Sequence, residues 1–337
     1  MIIRSDNYIT NPVVACGIIV YNQKDFIAQC IDGMLNQVCD FPYNIVIADD
    51  GSTDGTQDIL REYQSRYPEK IKLVLNEQNG GIAANWVSGC KEFEGGEFVS
   101  FCDGDDYWSN PKKSQLQVDY LRAHPECVAV SSDYDNMNED GSDYIACYRS
   151  KRPPLTGYVQ EDLWSSGKAQ NAWCTFMFSK KVFDEHMPLQ GFIEHNFPFQ
   201  DWPALVVISA YGTFDYMPIS TCVVRRVKGS DSNAIDIGKT LRRQERSRTM
   251  NKYLASLFPN LKQDTDDVFD RYIALTMISV CIRNGDYQQA KAYAIKSGRK
   301  NLRYWCCQTK WTFWAFRTAK LAKQKLSALK RKLNISK

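Results

Sequence analysis

The hydrophobic and polar positions of the first hundred residues repeat as an apolar run, a polar loop and an amphipathic stretch. The apolar runs are short and rich in β-branched residues, which is typical of buried strands; they span residues 13–20, 44–48, 71–75 and 97–102. The amphipathic stretches that follow the first three runs have helical spacing; they span about residues 25–37, 56–67 and 82–93. This alternation predicts an α/β fold with a mostly parallel central sheet flanked by helices.

The pattern continues less regularly to about residue 230. It predicts helices at 112–122 and 203–210, strands at 127–132, 172–178, 214–216 and 220–227, and a surface loop at 133–141. From about Ile235 the strand-forming residues give way to charged, helix-forming sequence, with paired helices at 266–283 and 287–297. We therefore predict an α/β domain at 1–234, a helical extension at 235–303 and a C-terminal helix at 304–337.

Three carboxylates fall within four positions directly after the fourth predicted strand, at Asp103, Asp105 and Asp106. Carboxylates this close repel one another unless a cation lies between them. Oxygen ligands suit a hard divalent ion such as Mg²⁺ or Mn²⁺. A solvated turn of the Asp-Gly kind explains the same residues without any ligand. Taken alone, this stretch leaves both interpretations open.

Two other strand ends carry loops of similar character. Asp49 and Asp50 begin a loop rich in glycine, serine and threonine, and Asn79, Gly80 and Gly81 form another. Right-handed crossovers place the carboxyl ends of parallel strands at one edge of the sheet. This convergence favours the cation site over the solvated turn. Neither glycine-containing loop matches the dinucleotide fingerprint or the Walker pattern.

Two later segments carry further candidate chemistry. Asp201 begins an apolar helix, so its carboxylate either stabilises the helix N-terminus or acts as a general base. A basic run from Arg225 to Lys228 ends the last predicted strand, and it is either a solvated turn or a clamp for phosphate. The sequence alone does not choose between these interpretations.

Composition narrows the class of protein. The net charge is only +3, which argues against nucleic acid as a partner. The 12 cysteines are scattered without a CxxC pair, as expected for buried, reduced thiols in a cytoplasmic protein. The N-terminus has no signal-peptide pattern, and no apolar run approaches the length that spans a bilayer.

The segment 304–337 combines basic and aromatic residues. Its apolar positions at helical spacing are Trp311, Ala315, Ala319, Ala322, Leu326, Leu329 and Leu333. Such a basic amphipathic helix suits peripheral binding to an anionic membrane surface. A helix that packs its aromatic side chains on the protein and exposes its lysines explains the same pattern.

Taken together, the motifs resemble those of the family 2 glycosyltransferases, inverting enzymes with the GT-A fold that are common in bacterial polysaccharide synthesis. The resemblance covers about residues 11–230 and consists of five motifs in the family's order. They are Val20-Tyr21-Asn22, Ala48-Asp49-Asp50-Gly51-Ser52-Thr53-Asp54, Asn79-Gly80-Gly81-Ile82 followed by Asn85, Asp103-Gly104-Asp105-Asp106-Tyr107-Trp108, and Gln200-Asp201-Trp202. Each motif is weak alone, and the five in order are a strong signal.

The resemblance implies roles for individual residues. Asp105 would bind a divalent cation, Mg²⁺ or Mn²⁺, that bridges the two phosphates of a nucleotide-sugar donor. Asp201 would take the proton from the acceptor hydroxyl, and Asp106 and Trp202 would bind the acceptor. The residues implied in donor binding, with Tyr21 and Asp50 at a base that is most often uracil and Asp103 at the ribose or sugar, are Val20, Tyr21, Asn22, Asp50, Asn79, Gly80, Asp103, Gly104 and Lys228.

The chain departs from the family pattern in three places. The helix after the third loop lacks the basic residue that many members carry near its start. Lys228 stands where many members have histidine, although a lysine still offers charge to a phosphate. Gln200 stands where a glutamate often precedes the catalytic aspartate, which leaves Asp201 the only carboxylate of that motif.

The leading hypothesis is a metal-dependent inverting transferase that moves a sugar from a UDP-sugar to a glycan or lipid-linked acceptor. One alternative is a non-catalytic sugar-nucleotide-binding or scaffold subunit anchored by the basic tail. A second is a nucleotidyltransferase, which would need a nucleoside triphosphate. The presence of Asp105 and Asp201 argues against the first alternative, and the absence of a lysine- and glycine-rich N-terminal signature argues against the second.

Overall fold

The fold was analysed in a computed structural model, which describes residues 1–227, 236–298 and 301–332, with side chains described as far as residue 322. The chain divides into two compact units, Met1–Val227 and Lys228–Lys337. The first is an α/β unit and the second is helical within its described residues. The mixed α/β sheet with flanking helices confirms the predicted fold class.

A single mixed sheet forms the centre of the first unit. Its order is β1-β4-β3-β2-β5-β8-β7-β9-β6, with β2 to β5 parallel to one another as the alternating pattern predicted. The strands are β1 Ile2–Ile3, β2 Val14–Val20, β3 Tyr43–Asp49, β4 Ile71–Leu75, β5 Phe98–Asp103, β6 Tyr107–Trp108, β7 Cys127–Asn138, β8 Met177–Ser179 and β9 Thr213–Arg226.

Helices connect these strands and cover the sheet. Strands β2 to β4 are buried along their whole length, which explains why their sequences are continuous apolar runs rather than alternating ones. The helices of this unit are α1 Ile27–Leu35, α2 Thr56–Arg66, α3 Ile82–Cys90, α4 Lys113–Ala123, α5 Gln160–Ser166, α6 Lys180–His186, α7 Leu189–Glu194 and α8 Asp201–Ile208.

The register of the parallel strands brings the polar loops together. Ile19 of β2 pairs with Asp103 of β5, and the next residue, Val20, pairs with Asp49 of β3. The chain therefore leaves the sheet at nearly the same level in three adjacent strands. The predicted convergence of the strand-end loops at one edge is confirmed.

Three predictions for the first unit are wrong in extent or type. Residues 133–138, predicted as a surface loop, continue strand β7, because their backbone pairs with the parallel strand β9 up to Arg226. Residues 172–178, predicted as one strand, form a short 3₁₀ helix at Trp173–Thr175 followed by β8. The two closing strands predicted at 214–227 are one long strand, β9.

The second unit has its own apolar core. Its helices are α9 Ile237–Leu257, α10 Asp266–Asn284, α11 Tyr287–Ser297, α12 Leu302–Cys306 and α13 Lys310–Lys332. The core lies between α10, α11 and α13, where the ring of Phe313 is fully buried among Ile278, Cys281 and Ala290. The paired helices predicted from the sequence are therefore present.

The packing of α13 shows which of its sides faces the core of the helical unit. Trp311, Ala315 and Ala319, which the sequence pattern places on one apolar face, are exposed, and Phe313 is buried instead. Helical periodicity gives the angle between faces but does not say which face meets the core. Over the part of the chain that the structure describes, no helix is both long and apolar enough to cross a bilayer.

Helix α1 approaches the β6 strand closely at Gly33. A Cβ atom built on Gly33 would lie 2.5 Å from the carbonyl oxygen of Trp108. Backbone cannot yield as a flexible side chain can, so we predict that Gly33→Ala lowers the free energy of unfolding by about 1–3 kcal/mol. Denaturant unfolding measures this loss.

The matched control is Gly238→Ala in α9, where the nearest atom is the flexible Arg242 Nη1, 3.4 Å away. Alanine is the better helix former by about 0.5–1 kcal/mol, so this control should be neutral or stabilising. Equal effects of the two substitutions would contradict the close packing at Gly33.

Candidate functional site

The carboxyl edge of β2, β3 and β5 collects the candidate residues. Strand β5 ends at Asp103, and the chain turns at once through Gly104, Asp105 and Asp106 into β6. The amide of Gly104 donates to the Ile19 carbonyl, 2.9 Å away, and the amide of Asp106 donates to the Asp103 carbonyl, also at 2.9 Å. We call residues 103–106 the acidic turn.

Glycine is required within the acidic turn. A Cβ atom on Gly104 would lie 2.4 Å from Oε1 of Gln23 and 3.1 Å from Cβ of Val20. The turn therefore lies directly against the end of β2. Gly104 contributes close approach of the backbone, while the neighbouring aspartates carry the chemistry.

Arg225 fixes the acidic turn through both its side chain and its backbone. Its guanidinium donates through Nη1 to the Asp105 carbonyl, 2.6 Å away, and through Nη2 to Oε1 of Gln29. Its backbone amide donates to Oδ1 of Asp106 at 2.9 Å, and its guanidinium carbon lies 4.6 Å from the centroid of the Tyr107 ring. The side chain is buried, so these contacts are made away from water.

The carboxyl groups of the acidic turn are held in an environment that disfavours their charge. Burial, reinforced by Asp105 and Asp201, raises the pKa of Asp103 to about 8. Burial and the charges of Asp105 and Asp103 raise the pKa of Asp106 well above its ordinary value. Burial also raises the pKa of Asp105, against the opposing charge of Arg225. Such a cluster attracts a cation or protons.

Asp201 lies at this same cluster, although 98 positions separate it from Asp103 in the sequence. It begins α8, and its charge is among the causes of the raised pKa of Asp103. The preceding residue, Gln200, reaches Oδ1 of Asp103 with its amide nitrogen at 3.5 Å. The structure therefore joins two predicted motifs in one place.

Asp50 is bound to the glycine-containing loop. Its two carboxylate oxygens accept from the amides of Gly80 and Gly81, at 2.8 and 3.0 Å. Burial raises the pKa of Asp50, and these two hydrogen bonds partly offset that rise. The predicted donor-binding residues Asp50 and Gly80 therefore contact each other. A Cβ atom on Gly51 would lie 3.1 Å from the Asn79 amide nitrogen, so the loops after β3 and β4 lie against each other and form one rim.

The end of β2 carries the predicted residues Val20, Tyr21 and Asn22. Tyr21 is 45 % exposed, whereas Val20 is buried and its carbonyl oxygen accepts from the Asp50 amide at 3.0 Å. Asn22 has a left-handed backbone, with φ of 51°. Its side-chain oxygen accepts from the Thr53 amide at 2.8 Å, so the β2 and β3 loops are linked.

Trp202 is placed differently from its predicted role. Its indole is only 4 % exposed, donates to the Leu163 carbonyl at 2.9 Å and stacks on Trp164. This buried side chain packs α8 against α5 and is not accessible to an acceptor. Asp106, the other predicted acceptor contact, is also buried, with Oδ1 bonded to the Arg225 amide.

The basic run at the end of β9 does not act as one clamp. Arg225 is committed to the acidic turn, while Arg226, on the opposite side of the strand, pairs with Asp143 at 2.8 Å and contacts Asn136. The alternation of side chains along a strand separates the two guanidinium groups. Lys228, the predicted donor-binding residue, lies outside the described residues.

The carboxylates of the acidic turn fit a metal site that is completed by phosphates of the substrate. In the described chain, no group of three or more His, Cys, Asp or Glu side chains could hold a metal ion by itself. Mg²⁺ and related ions are commonly bound by one or two carboxylates together with substrate phosphates and water. Asp105, with Asp103 and Asp106 beside it, offers that kind of ligand.

Asn85 and Asp49 belong to the motifs quoted from the sequence, but no role was predicted for either residue. The buried Asn85 amide donates to the Ala48 carbonyl at 2.9 Å and to the Val20 carbonyl at 3.3 Å, and so ties the ends of β2 and β3 together. Asp49 accepts from the Ser52 amide at 3.0 Å and from Gln57 at 2.6 Å, which shapes the loop beside Asp50. The adjacent pair of aspartates in the sequence was a signal for Asp49.

Gln23, Gln29 and Arg225 complete the supports of the acidic turn. The two glutamines gave no signal in the sequence, because a glutamine after a strand or within a helix is ordinary. In the sequence, Arg225 stands out only as part of the basic run from Arg225 to Lys228. Its role depends on the pairing of β9 with β6, which brings it next to Asp106.

Comparison with known proteins identifies a family. Residues 16–187, just over half of the chain, match the family model described as Glycosyl transferase family 2. An uncharacterised protein of Mycobacterium tuberculosis strain H37Rv is 32 % identical over 210 residues, which cover 62 % of this chain and 57 % of that protein. The poly(ribitol-phosphate) beta-glucosyltransferase of Bacillus spizizenii is 36 % identical over 89 residues, or 26 % of this chain and 14 % of that enzyme.

A solved structure shares the fold. The mannosyltransferase PcManGT from Pyrobaculum calidifontis, in complex with GDP-Man and Mn²⁺, has a TM-score of 0.51 at 17 % identity, with 95 % of this chain and 81 % of that chain covered. At this identity the likeness concerns the fold, which is that of GT-A glycosyltransferases. The chain spans little more than half the length of its first curated relatives.

The contacts of Arg225 predict the local stability of the acidic turn. Arg225→Met removes two charge-assisted hydrogen bonds, so we expect hydrogen exchange of the Gly104 and Asp106 amides to accelerate about tenfold or more. The matched control is Arg226→Met, which should accelerate exchange near Asp143 and leave the acidic turn unchanged. Equal exchange at Gly104 in both variants would contradict the assigned role of Arg225.

The raised pKa of Asp103 predicts a pH-dependent stability. Between its ordinary value of 3.8 and about 8, the folded protein keeps a proton on Asp103 that the unfolded chain has released. The free energy of unfolding in a metal chelator should therefore fall as pH rises through this window, and Asp103→Asn should flatten that fall. Denaturant unfolding at several pH values measures it.

The control for this measurement is Asp162→Asn, at an exposed position in α5. This variant should keep the slope of the unmodified protein. If Asp103→Asn and the unmodified protein lose stability in parallel, the charge cost assigned to Asp103 is wrong.

Proposed function

The chain belongs to glycosyl transferase family 2, and on this premise we propose that it transfers a sugar from a nucleoside diphosphate donor to a hydroxyl of a glycan or lipid-linked acceptor. The observation that carries the proposal is the meeting of the acidic turn with the start of α8, where the Gln200 amide nitrogen lies 3.5 Å from Oδ1 of Asp103 and Asp201 follows directly in the chain. A leaving-group site and a proton acceptor thus lie at one sheet edge. Surface polysaccharide is the proposed product class, in keeping with the glucosyltransferase relative.

The proposed donor site is the rim formed by the β2, β3 and β4 loops. Tyr21, with its exposed ring, would stack on or flank the base, and Asp50 with its glycine partners would shape the base pocket. Asp103 would face the ribose or sugar. The mannosyltransferase of similar fold is in complex with GDP-Man, whereas the resemblance of the motifs favours UDP. A panel of nucleotide sugars distinguishes these two donors.

Asp105 would hold the divalent cation, with the diphosphate of the donor as the other ligand. A bound Mg²⁺ or Mn²⁺ neutralises the charge that develops on the departing diphosphate. The chain's own contribution is to keep several carboxylates buried at one point, with Arg225 fixing the backbone of the turn. This arrangement has a high affinity for positive charge, because each carboxylate destabilises the charge of the next.

Asp201 would act as the general base. The acceptor oxygen forms a bond to the anomeric carbon of the sugar as the bond from that carbon to the diphosphate oxygen breaks. The electron pair leaves with the diphosphate, and the acceptor proton passes to the Asp201 carboxylate. A single displacement inverts the anomeric centre, and no covalent intermediate on the protein is required.

A donor panel tests this function. The purified chain is incubated with UDP-, GDP- and dTDP-sugars, with and without Mn²⁺, and released nucleoside diphosphate is measured. We expect Mn²⁺-dependent release from one nucleotide class. Asp105→Asn and Asp201→Asn should each lower it by about 10²-fold or more, because a positioned base or metal ligand contributes on this scale.

Nucleotide binding separates the two variants. Asp105→Asn should weaken binding of the nucleoside diphosphate in Mn²⁺, whereas Asp201→Asn should leave it unchanged. Asp162→Asn is the control for both. Near-normal release by Asp201→Asn would show that the base assignment is wrong.

The same panel, extended by reactions that contain a nucleoside triphosphate and a sugar phosphate, distinguishes the alternatives. Nucleotide binding without release from any donor would indicate a non-catalytic sugar-nucleotide-binding subunit. Pyrophosphate release from a nucleoside triphosphate and a sugar phosphate would indicate a nucleotidyltransferase.

A further inference from the structure

The helical unit exposes a group of large apolar side chains near its C-terminal helices. Leu302, Trp305, Trp311 and Trp314 are 69 %, 56 %, 79 % and 45 % exposed. These residues belong to α12 and the first turns of α13. We call them the tryptophan face. Soluble surfaces rarely collect large apolar side chains in this way without a function.

The tryptophan face is held together by local structure. The hydroxyl of Thr312 donates to the Cys306 carbonyl at 3.1 Å, so the start of α13 is fixed against the end of α12. Trp311 is the most exposed of these side chains. Trp314, one helical turn further along α13, is partly covered, because the Arg317 guanidinium lies 5.1 Å from its ring centroid and its ring edge faces Gly285. Trp314 therefore forms the border of the tryptophan face. The side of Trp311 continues with the exposed small residue Ala315.

The opposite side of α13 is already occupied. Phe313 is fully buried in the core of the helical unit and contacts the Tyr287 ring at a centroid distance of 5.5 Å. The Arg317 guanidinium donates to the Ile282 carbonyl at 3.1 Å. In the part of α13 whose side chains are described, packing within the helical unit therefore uses Phe313 and Arg317 and partly covers Trp314, while Trp311 stays exposed on the tryptophan face.

Charge identifies the class of that partner. After Asp286 the sequence contains fourteen Lys and Arg residues and no Asp or Glu. Arg303 and Lys310, beside the tryptophans, are exposed. A second copy of this chain would bring the same positive charges together, which disfavours a symmetric dimer through this face. An anionic lipid surface is complementary both to the charge and to the aromatic side chains.

We infer that the tryptophan face inserts into the interfacial layer of a membrane that contains anionic lipid, with the basic residues at the headgroups. Tryptophan prefers this layer because its ring is apolar and its N–H needs a polar partner. The proposed binding is interfacial, because the tryptophans belong to helices whose other side packs within the helical unit. The inference goes beyond the proposed function and does not depend on which reaction the first unit performs.

Vesicle co-sedimentation of the full chain tests the inference. One set of vesicles is phosphatidylcholine alone, and the other contains about 30 mol % phosphatidylglycerol. We expect binding to the anionic vesicles that weakens at high salt. The double variant Trp305→Ser, Trp311→Ser should bind at least about tenfold more weakly, because two interfacial anchors are lost.

The matched control is Tyr272→Ser, an aromatic residue of α10 in the same unit that is 51 % exposed. It should bind vesicles as the unmodified chain does. Circular dichroism of each variant verifies that the helices are intact. Equal binding by the double variant and the Tyr272 variant would overturn the inference. So would a concentration-dependent dimer, without lipid, that the double variant abolishes.

Discussion

The main physical constraint on this structure is that several carboxylates lie close together at one buried edge of the sheet. Burial raises the pKa values of Asp103, Asp105 and Asp106, and repulsion from neighbouring carboxylates adds to the rise at Asp103 and Asp106. Holding these groups together therefore requires that the backbone of the turn be fixed. Arg225 supplies that fixation, with a buried guanidinium on the Asp105 carbonyl and a backbone amide on Asp106. A single arginine thus opposes the charge and holds the turn at the same time.

The rest of the first unit serves this arrangement. Parallel pairing of β2 with β3 and β5 ends three strands at one level, and Asn85 ties two of those ends together. Gly104 lets the acidic turn lie against β2, and Gly33 lets α1 lie against β6. The sheet is therefore a rigid base from which short loops reach one site, which is how open α/β sheets commonly place ligands.

The helical unit differs from the first unit in that several of its tryptophan side chains lie outside its core. In the described part of α13, Phe313 is buried in that core and Phe316 packs against it. Trp305 and Trp311 stay mostly exposed, so packing within this unit does not explain them. A family-level comparison does not address them, because the matched residues end at 187. The membrane surface proposed for these residues rests on their exposure and on the positive charge around them.

The sequence by itself determined the α/β class, the parallel core strands and the identity of the acidic turn, because buried parallel strands are continuous apolar runs and a carboxylate cluster after one of them is conspicuous. Only the tertiary structure decided which groups meet. The strand character of residues 133–138, the support by Arg225, the burial of Trp202 and the outward orientation of Trp311 depend on pairing and packing between segments far apart in sequence. Local periodicity carries no information about such partners, since it reports one element at a time.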